Sequence, residues 1–129
     1  MTDARKLAAE LARMPLLVGL DGSLPRRLAD AGSEQAFSPG TILVEDKRLG
    51  SEAYVILDGT VRIDLADGQV FREGKGQLVG ELALMDTNRR SASVTAETAV
   101  RALVLHGSAF HALLRDHPEL ERRIRSSRP

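Results

Sequence analysis

The chain has 129 residues, of which 43% are hydrophobic and 28% charged, enough for one domain with one sizeable core. Eighteen basic and eighteen acidic side chains cancel, which argues against a surface built mainly to grip nucleic acid. With no cysteine, a disulfide framework, a thiolate metal site and a cysteine nucleophile are excluded.

The opening segment "MTDARKLAAELARM" is charged and lacks the apolar stretch of a signal peptide. Leu7, Leu11 and Met14 recur at helical spacing, predicting a helix over 3–14 that Pro15 closes. "SLPRRLADAG" predicts a second short helix, with Ser23 near its start and Gly32 after its end. From about residue 34 the pattern changes to short apolar runs, "TILVE" and "AYVIL", followed by "VRIDL" in strict alternation. Asp58-Gly59 and Asp67-Gly68 are turn signals between strands, and "GKG" at 74–76 is expected to be a hairpin turn. Further strands are predicted at "QVF", "SASVTAE" and "AVRALVL". Several short strands at close spacing favour a β-sandwich or barrel over a parallel βαβ sheet. The tail returns to helix, with Phe110, Leu113 and Leu114 on one face. Pro118 then opens a last helix that carries Leu120 and Ile124 on one side, and these are expected to dock on the barrel. No apolar run approaches the roughly 18 residues of a membrane span. The expectation is a soluble, cytoplasmic single domain without membrane association.

The stretch "VGELALMDTNRRSASV" at 79–94 is the unusual one. Gly80 allows a ligand close to the main chain. The good helix formers from Glu81 to Met85 predict a helical turn whose first amides are free and partly positive, a natural place for phosphate. Arg90 adds a planar fork of donors suited to phosphate oxygens. Glu81 accepts hydrogen bonds only, so its natural partner there is a hydroxyl. Amides and an arginine for phosphate, with a carboxylate for a sugar hydroxyl, describe a nucleotide-sized ligand. The same residues also fit a plain structural role, with Glu81 favourable in a first helical turn and paired with Arg89 or Arg90 for about 0–1 kcal/mol.

"GELALMDTNRRSASVTA" resembles the phosphate-binding cassette of the cyclic nucleotide-binding domain family. The matching positions are Gly80, Glu81, Leu82, Ala83, Arg90, Ser91 and Ala92, with nine positions from Glu81 to Arg90. "PLLVGL", "LPRRLADAG", "FSPGTILVEDKRLGSEAYVILDGTVRI" and "FHALLRDHPEL" resemble other parts of the same fold, so nearly the whole chain is covered. The resemblance implies a mainly β fold with flanking helices. This is an eight-stranded jelly-roll-like β-barrel (double-stranded β-helix) at 33–106, with N-terminal helices at 1–32 and C-terminal helices at 107–129. It implies a sensor for cyclic AMP or cyclic GMP. Gly80 and the amides of Leu82 and Ala83 would line the cyclic phosphate, Arg90 would pair with its exocyclic oxygen, and Glu81 would accept from the ribose 2′-hydroxyl. Ser91 and Ala92 would touch the ligand through backbone or hydroxyl, and Ser91 is compatible with either base. The resemblance further implies that binding is relayed to helices around 108–125, with a homodimer or an effector protein as partner and no cofactor. In the family the base is covered from a C-terminal helix or by a partner chain. Here Leu120, Arg122, Arg123, Ile124 and Arg125 are the local candidates.

Other chemistries lack residues. His106, His111 and His117 are the only histidines and none falls in the predicted barrel interior, which leaves a metalloenzyme short of ligands. "GKG" lacks the spacing of a P-loop, no Gly-x-Ser-x-Gly elbow is present, and 3% aromatic content leaves no platform for single-stranded nucleic acid. No enzyme activity is expected. With no helix-turn-helix, kinase, channel or cyclase segment in these residues, the chain is expected to act alone or as the sensing part of a larger protein. The competing expectation is a vacant fold of the same family serving as a protein interaction module, against which the retention of both Glu81 and Arg90 argues.

Overall fold

A computed structural model of the chain describes residues 3–44, 52–80 and 92–126. Helix α1 spans Ala4–Ala12 and is capped by Asp3, whose side chain accepts from the Lys6 amide at 2.9 Å. It stops two residues earlier than the apolar spacing predicts, because the residue before a proline is disfavoured in the helical region. Met14 is nevertheless buried from the turn that follows. Helix α2, Leu24–Ala31, has Pro25 in its first turn and ends at Gly32. Gly32 is there for proximity: a Cβ on it would lie 2.8–2.9 Å from the Leu103 side chain and the Val104 carbonyl.

Eight strands follow among the described residues: β1 Ser33–Phe37, β2 Ile42–Val44, β3 Glu52–Asp58, β4 Val61–Leu65, β5 Val70–Glu73, β6 Leu78–Val79, β7 Ala92–Ala96 and β8 Val100–His106. Helices α3, Gly107–Asp116, and α4, Pro118–Ser126, complete the described chain. The strands form two four-stranded antiparallel sheets, ordered β1-β8-β3-β6 and β2-β7-β4-β5. Among the described residues no ladder joins the two sheets, so the architecture is a two-sheet sandwich with helices on one face; the closed barrel of the sequence reading is not what these pairings show. One reading is corrected. "GKG" is a turn, with Gly76 at φ +90, but it is not a hairpin: β5 pairs with β4 and β6 with β3, so the turn carries the chain from one sheet to the other.

Burial explains the order. The β3 residues Ala53, Val55 and Leu57 join Leu103 and Leu105 of β8 in a cluster with the helices, including Leu7, Leu11, Leu24, Leu28, Phe110, Leu113, Leu120 and Ile124. Their alternating neighbours Tyr54, Ile56, Ala102 and Val104 point the other way, between the sheets, onto Val44, Val61, Val79, Val94 and Ala96. Strands β3 and β8 are therefore covered on both faces, which is why they read as continuous apolar runs.

The helical layer is tied to the sheet by Arg101 of β8. Its guanidinium donates to Glu10 of α1 at 2.6 Å, to Asp58 of β3 at 2.8 Å and to Glu34 of β1 at 3.2 Å. Burial disfavours the charge, but the bonds to these carboxylates outweigh it and hold the Arg101 pKa above its ordinary value. Arg101→Ala would remove the guanidinium that Glu10 and Glu34, 15% and 13% exposed, both accept from. We expect a loss of about 1–3 kcal/mol in urea unfolding, between the surface and buried limits for ion pairs. A loss within error of zero would show that the network contributes nothing.

Helix α4 docks on this layer through Leu120 and Ile124, each 2% exposed. Arg123 holds it there by donating to the carbonyls of Pro15 at 2.6 Å and Val18 at 2.9 Å.

Candidate ligand-binding site

Two of the seven residues that the sequence singles out lie in described structure, and they frame the cassette. Gly80 follows β6 in one sheet, and Ala92 opens β7 in the other. Residues 81–91 thus connect the two sheets. Glu81, Leu82, Ala83, Arg90 and Ser91 fall outside the described residues. Gly80 takes φ +83, in the left-handed region that favours glycine.

The frame packs on buried apolar side chains. Val79 is buried and pairs with Tyr54 of β3, and Val94, two residues into β7, is buried between the sheets. The Tyr54 hydroxyl donates to the Leu43 carbonyl at 3.0 Å and lies 3.2 Å from Glu52 Oε1, linking β3 to the end of β2. Its ring meets that of Phe37 edge-on, with centroids 6.3 Å apart. Ala92 pairs with Leu65 at the end of β4, and Glu52 with His106 at the end of β8. The ends of β2, β4, β6 and β8 and the starts of β3 and β7 gather at one end of the sandwich, around the attachment points of residues 81–91. The buried side chains beside these attachment points, Val79, Val94 and Tyr54, belong to the cluster between the sheets.

Sequence reasoning missed one feature of this end. Val70 and Phe71 of β5 are 46% and 49% exposed, unusual for such side chains in a strand. Phe71 pairs with Ile63 of β4, and Ile63 pairs with the buried Val94. Cross-strand partners share a face, so Phe71 lies on the inner face of its sheet, at the uncovered edge. "QVF" marks a strand, but its face depends on a partner that spacing alone does not name.

The histidines lie elsewhere. His106 and His111 are exposed, while His117 is buried where α2, α3 and α4 meet. Arg27 Nη1 lies 2.8 Å from His117 Nε2, and since a guanidinium only donates, Nε2 accepts and Nδ1–H faces Glu119 Oε1 at 3.1 Å. Arg27 also bonds Asp116 at 3.0 Å, which holds that carboxyl below its ordinary pKa. Among the described residues no group of three His, Cys, Asp or Glu is arranged to hold a metal ion. A groove of about 280 Å³, lined by Glu10, Arg13, Met14, Pro15, Lys75 and Gly76, contains none of the cassette positions.

Comparison with known proteins agrees with this frame. Residues 34–117 match the family model described as the cyclic nucleotide-binding domain. The chain is 35% identical over 106 residues to a cAMP-dependent protein kinase regulatory subunit of Colletotrichum orbiculare, covering 81% of this chain and 27% of that protein. Among solved structures it is similar to the regulatory subunit of a cAMP-independent protein kinase A from Trypanosoma brucei. The TM-score is 0.82 at 30% identity, over 98% of this chain and 48% of that one. A variant of that protein, with a glutamate changed to alanine and, seven and eight positions later, a threonine to arginine and a valine to alanine, is bound to cAMP in its A site. The Trypanosoma cruzi counterpart, bound to guanosine, matches with the same TM-score and identity, over 98% of this chain and 46% of that one. The chain spans roughly a quarter of the curated relative's length. With its family model covering most of the two sheets, and a regulatory subunit 35% identical to it, the chain belongs to the cyclic nucleotide-binding domain family.

Proposed function

We propose that this single domain, residues 1–129, is a regulatory sensor that binds cyclic AMP or cyclic GMP through the cassette at 79–94 and catalyses no reaction. The observation that carries this reading is the presence of both Glu81 and Arg90, nine positions apart in sequence, in a segment whose two attachment points, Gly80 and Ala92, stand at the same end of facing sheets. Arg90 neutralises the exocyclic phosphate oxygen. Gly80 and the amides of Leu82 and Ala83 line the cyclic phosphate, Glu81 accepts from the ribose 2′-hydroxyl, and Ser91 and Ala92 complete the wall. The strand order β1-β8-β3-β6 facing β2-β7-β4-β5 fits an eight-stranded jelly roll around the ligand. Occupancy biases the helices at 107–126, which present the domain to an effector protein or a second copy in the cytoplasm. A ligand can do this only by binding one arrangement better than the other.

A second reading has a specific observation in its favour, because the trypanosome neighbours are described as cAMP-independent and one holds guanosine. On that reading the fold takes no cyclic nucleotide and serves as an interaction module or a nucleoside site. The variant of the Trypanosoma brucei protein that is bound to cAMP points back to the first. Its new alanine and arginine stand seven positions apart, as do Ala83 and Arg90 here.

Calorimetric titration of the purified chain with cyclic AMP, cyclic GMP and guanosine separates the two. Saturable binding of one cyclic nucleotide per chain is the expected result. Guanosine binding without cyclic nucleotide binding, or no binding by folded protein, would support the second reading.

A further inference from the structure

Among the described residues His117 is the one polar residue that is buried, and the cassette makes no use of it. It caps α3 and stands immediately before Pro118 of α4. Its amide donates to the Leu113 carbonyl at 2.8 Å, and its carbonyl accepts from the Leu120 amide at 2.9 Å. The imidazole is therefore held at the corner between the two helices.

The ring joins three helices. Arg27 of α2 donates to Nε2, and Nδ1–H faces Glu119 of α4. Asp116, at the end of α3, accepts from Arg27 at 3.0 Å and lies 3.6 Å from Arg115, while Asp21, in the turn before α2, meets the imidazole through space. Hydrogen bonds from Arg27 to Asp116 and from Ser23 to Asp21 hold these two carboxyls below their ordinary pKa, so both stay charged in mild acid. A guanidinium stays charged throughout. Histidine is the side-chain type that changes charge between about pH 5 and 8.

A second proton on the ring would occupy Nε2, which faces the N–H groups of Arg27. A donor would then meet a donor, with two positive charges 2.8 Å apart. Nδ1–H is already directed at Glu119, and a full charge on the ring strengthens that contact. Arg27 keeps Asp116 as its partner.

We propose that the His117 corner is a proton-operated joint: with the imidazole neutral it fastens α2 to α3 and α4 through Arg27, and with the imidazole charged it releases α2 and holds α4 through Glu119. Mild acid then loosens α2 while α4 keeps its place. The joint needs no ligand and is tested without one.

Amide hydrogen exchange of the purified chain at about pH 8 and about pH 5.5 reads the joint helix by helix. His117→Gln is the reference, because its amide can accept from Arg27 and donate to Glu119 but takes up no proton. Comparison at equal pH cancels the intrinsic pH dependence of exchange, and His106 and His111 are present in both proteins. At the higher pH the two are expected to exchange alike. At the lower pH the α2 amides of the wild type are expected to exchange about two- to tenfold faster than those of the variant, the range for one hydrogen bond, with α4 unchanged or slower. Nitrogen-15 spectra of the wild type carry the test if the variant does not fold. At the higher pH the proton should sit on Nδ1 and not on Nε2; on acidification both should carry one, and the Arg27 side-chain resonances should shift at the same midpoint. Equal α2 exchange in the two proteins at both pH values overturns the joint, as does loosening of α4 together with α2. So does a wild-type imidazole with its proton on Nε2 at the higher pH, or one that gains its second proton with no change at Arg27.

Discussion

Arg90→Ala is expected to weaken cyclic AMP binding by roughly thirtyfold or more, corresponding to about 2–5 kcal/mol for truncating one partner of a desolvated charge pair. That range holds for a pair withdrawn from water, and an exposed pair would cost only about 0–1 kcal/mol, so the size of the loss also reports how far the bound phosphate is desolvated. Glu81 has a smaller role, one hydrogen bond from a hydroxyl to a charged acceptor, and Glu81→Ala is expected to cost about 1.5–3 kcal/mol. The two residues can be told apart chemically. The 2′-deoxy analogue of cyclic AMP lacks the hydroxyl that Glu81 receives, so it should bind the wild type about as weakly as cyclic AMP binds Glu81→Ala. Against Glu81→Ala the analogue should lose little more. Calorimetry on the four combinations measures this directly. An Arg90→Ala protein that binds within about threefold of wild type would remove the phosphate from this arginine.

Phe110→Ala is expected to lower the unfolding free energy by about 3–5 kcal/mol, the range for truncating a buried aromatic. Phe110 begins the apolar face of α3 and is 2% exposed, in the cluster that holds Leu105 of β8, Leu113 and Leu114 of its own helix and Leu120 of α4. Three elements lose contacts together, and collapse around the void is resisted by β8, which is packed on both faces. Since small domains are stable by only about 5–15 kcal/mol, the variant should unfold at a markedly lower urea concentration with an unchanged slope. Phe71→Ala is the contrasting case. At 49% exposure its truncation should cost less than about 1 kcal/mol. Equal losses for the two phenylalanines would mean that Phe71 is a packing residue.

The parts of the fold legible in the sequence are those governed by local chemistry. Leu7 and Leu11 at helical spacing mark α1, Ser23 ahead of "LPRRLADA" marks α2, and Pro118 marks α4. The Asp58-Gly59 turn needs a glycine for two reasons, since φ is +94 and a Cβ would collide with the Ala99 carbonyl oxygen. Strand β1, "SEQAF", carries no apolar run, because it pairs with β8 at a sheet edge and only two of its residues are partly buried. Strand β6 is two residues long and exists only through its pairing with Tyr54 and Val55. His117 lies between two helices near the end of the chain, and its partner Arg27 stands ninety residues earlier.

By itself, the sequence determined which groups the segment 79–94 can offer: a glycine, an acid and an arginine at family spacing, in a chain without cysteine. These follow from residue identity and from separations of fewer than a dozen positions, where the chain has little freedom to rearrange. Only the tertiary structure decided that Gly80 and Ala92 belong to different sheets, that "GKG" crosses between them, that Phe71 faces inward and that Arg123 fixes α4 to the turn after α1. Each of these depends on which distant strand or helix supplies the partner. Shifting a strand's register by one residue turns its whole set of side chains to the other face, so faces are settled only when the sheets assemble.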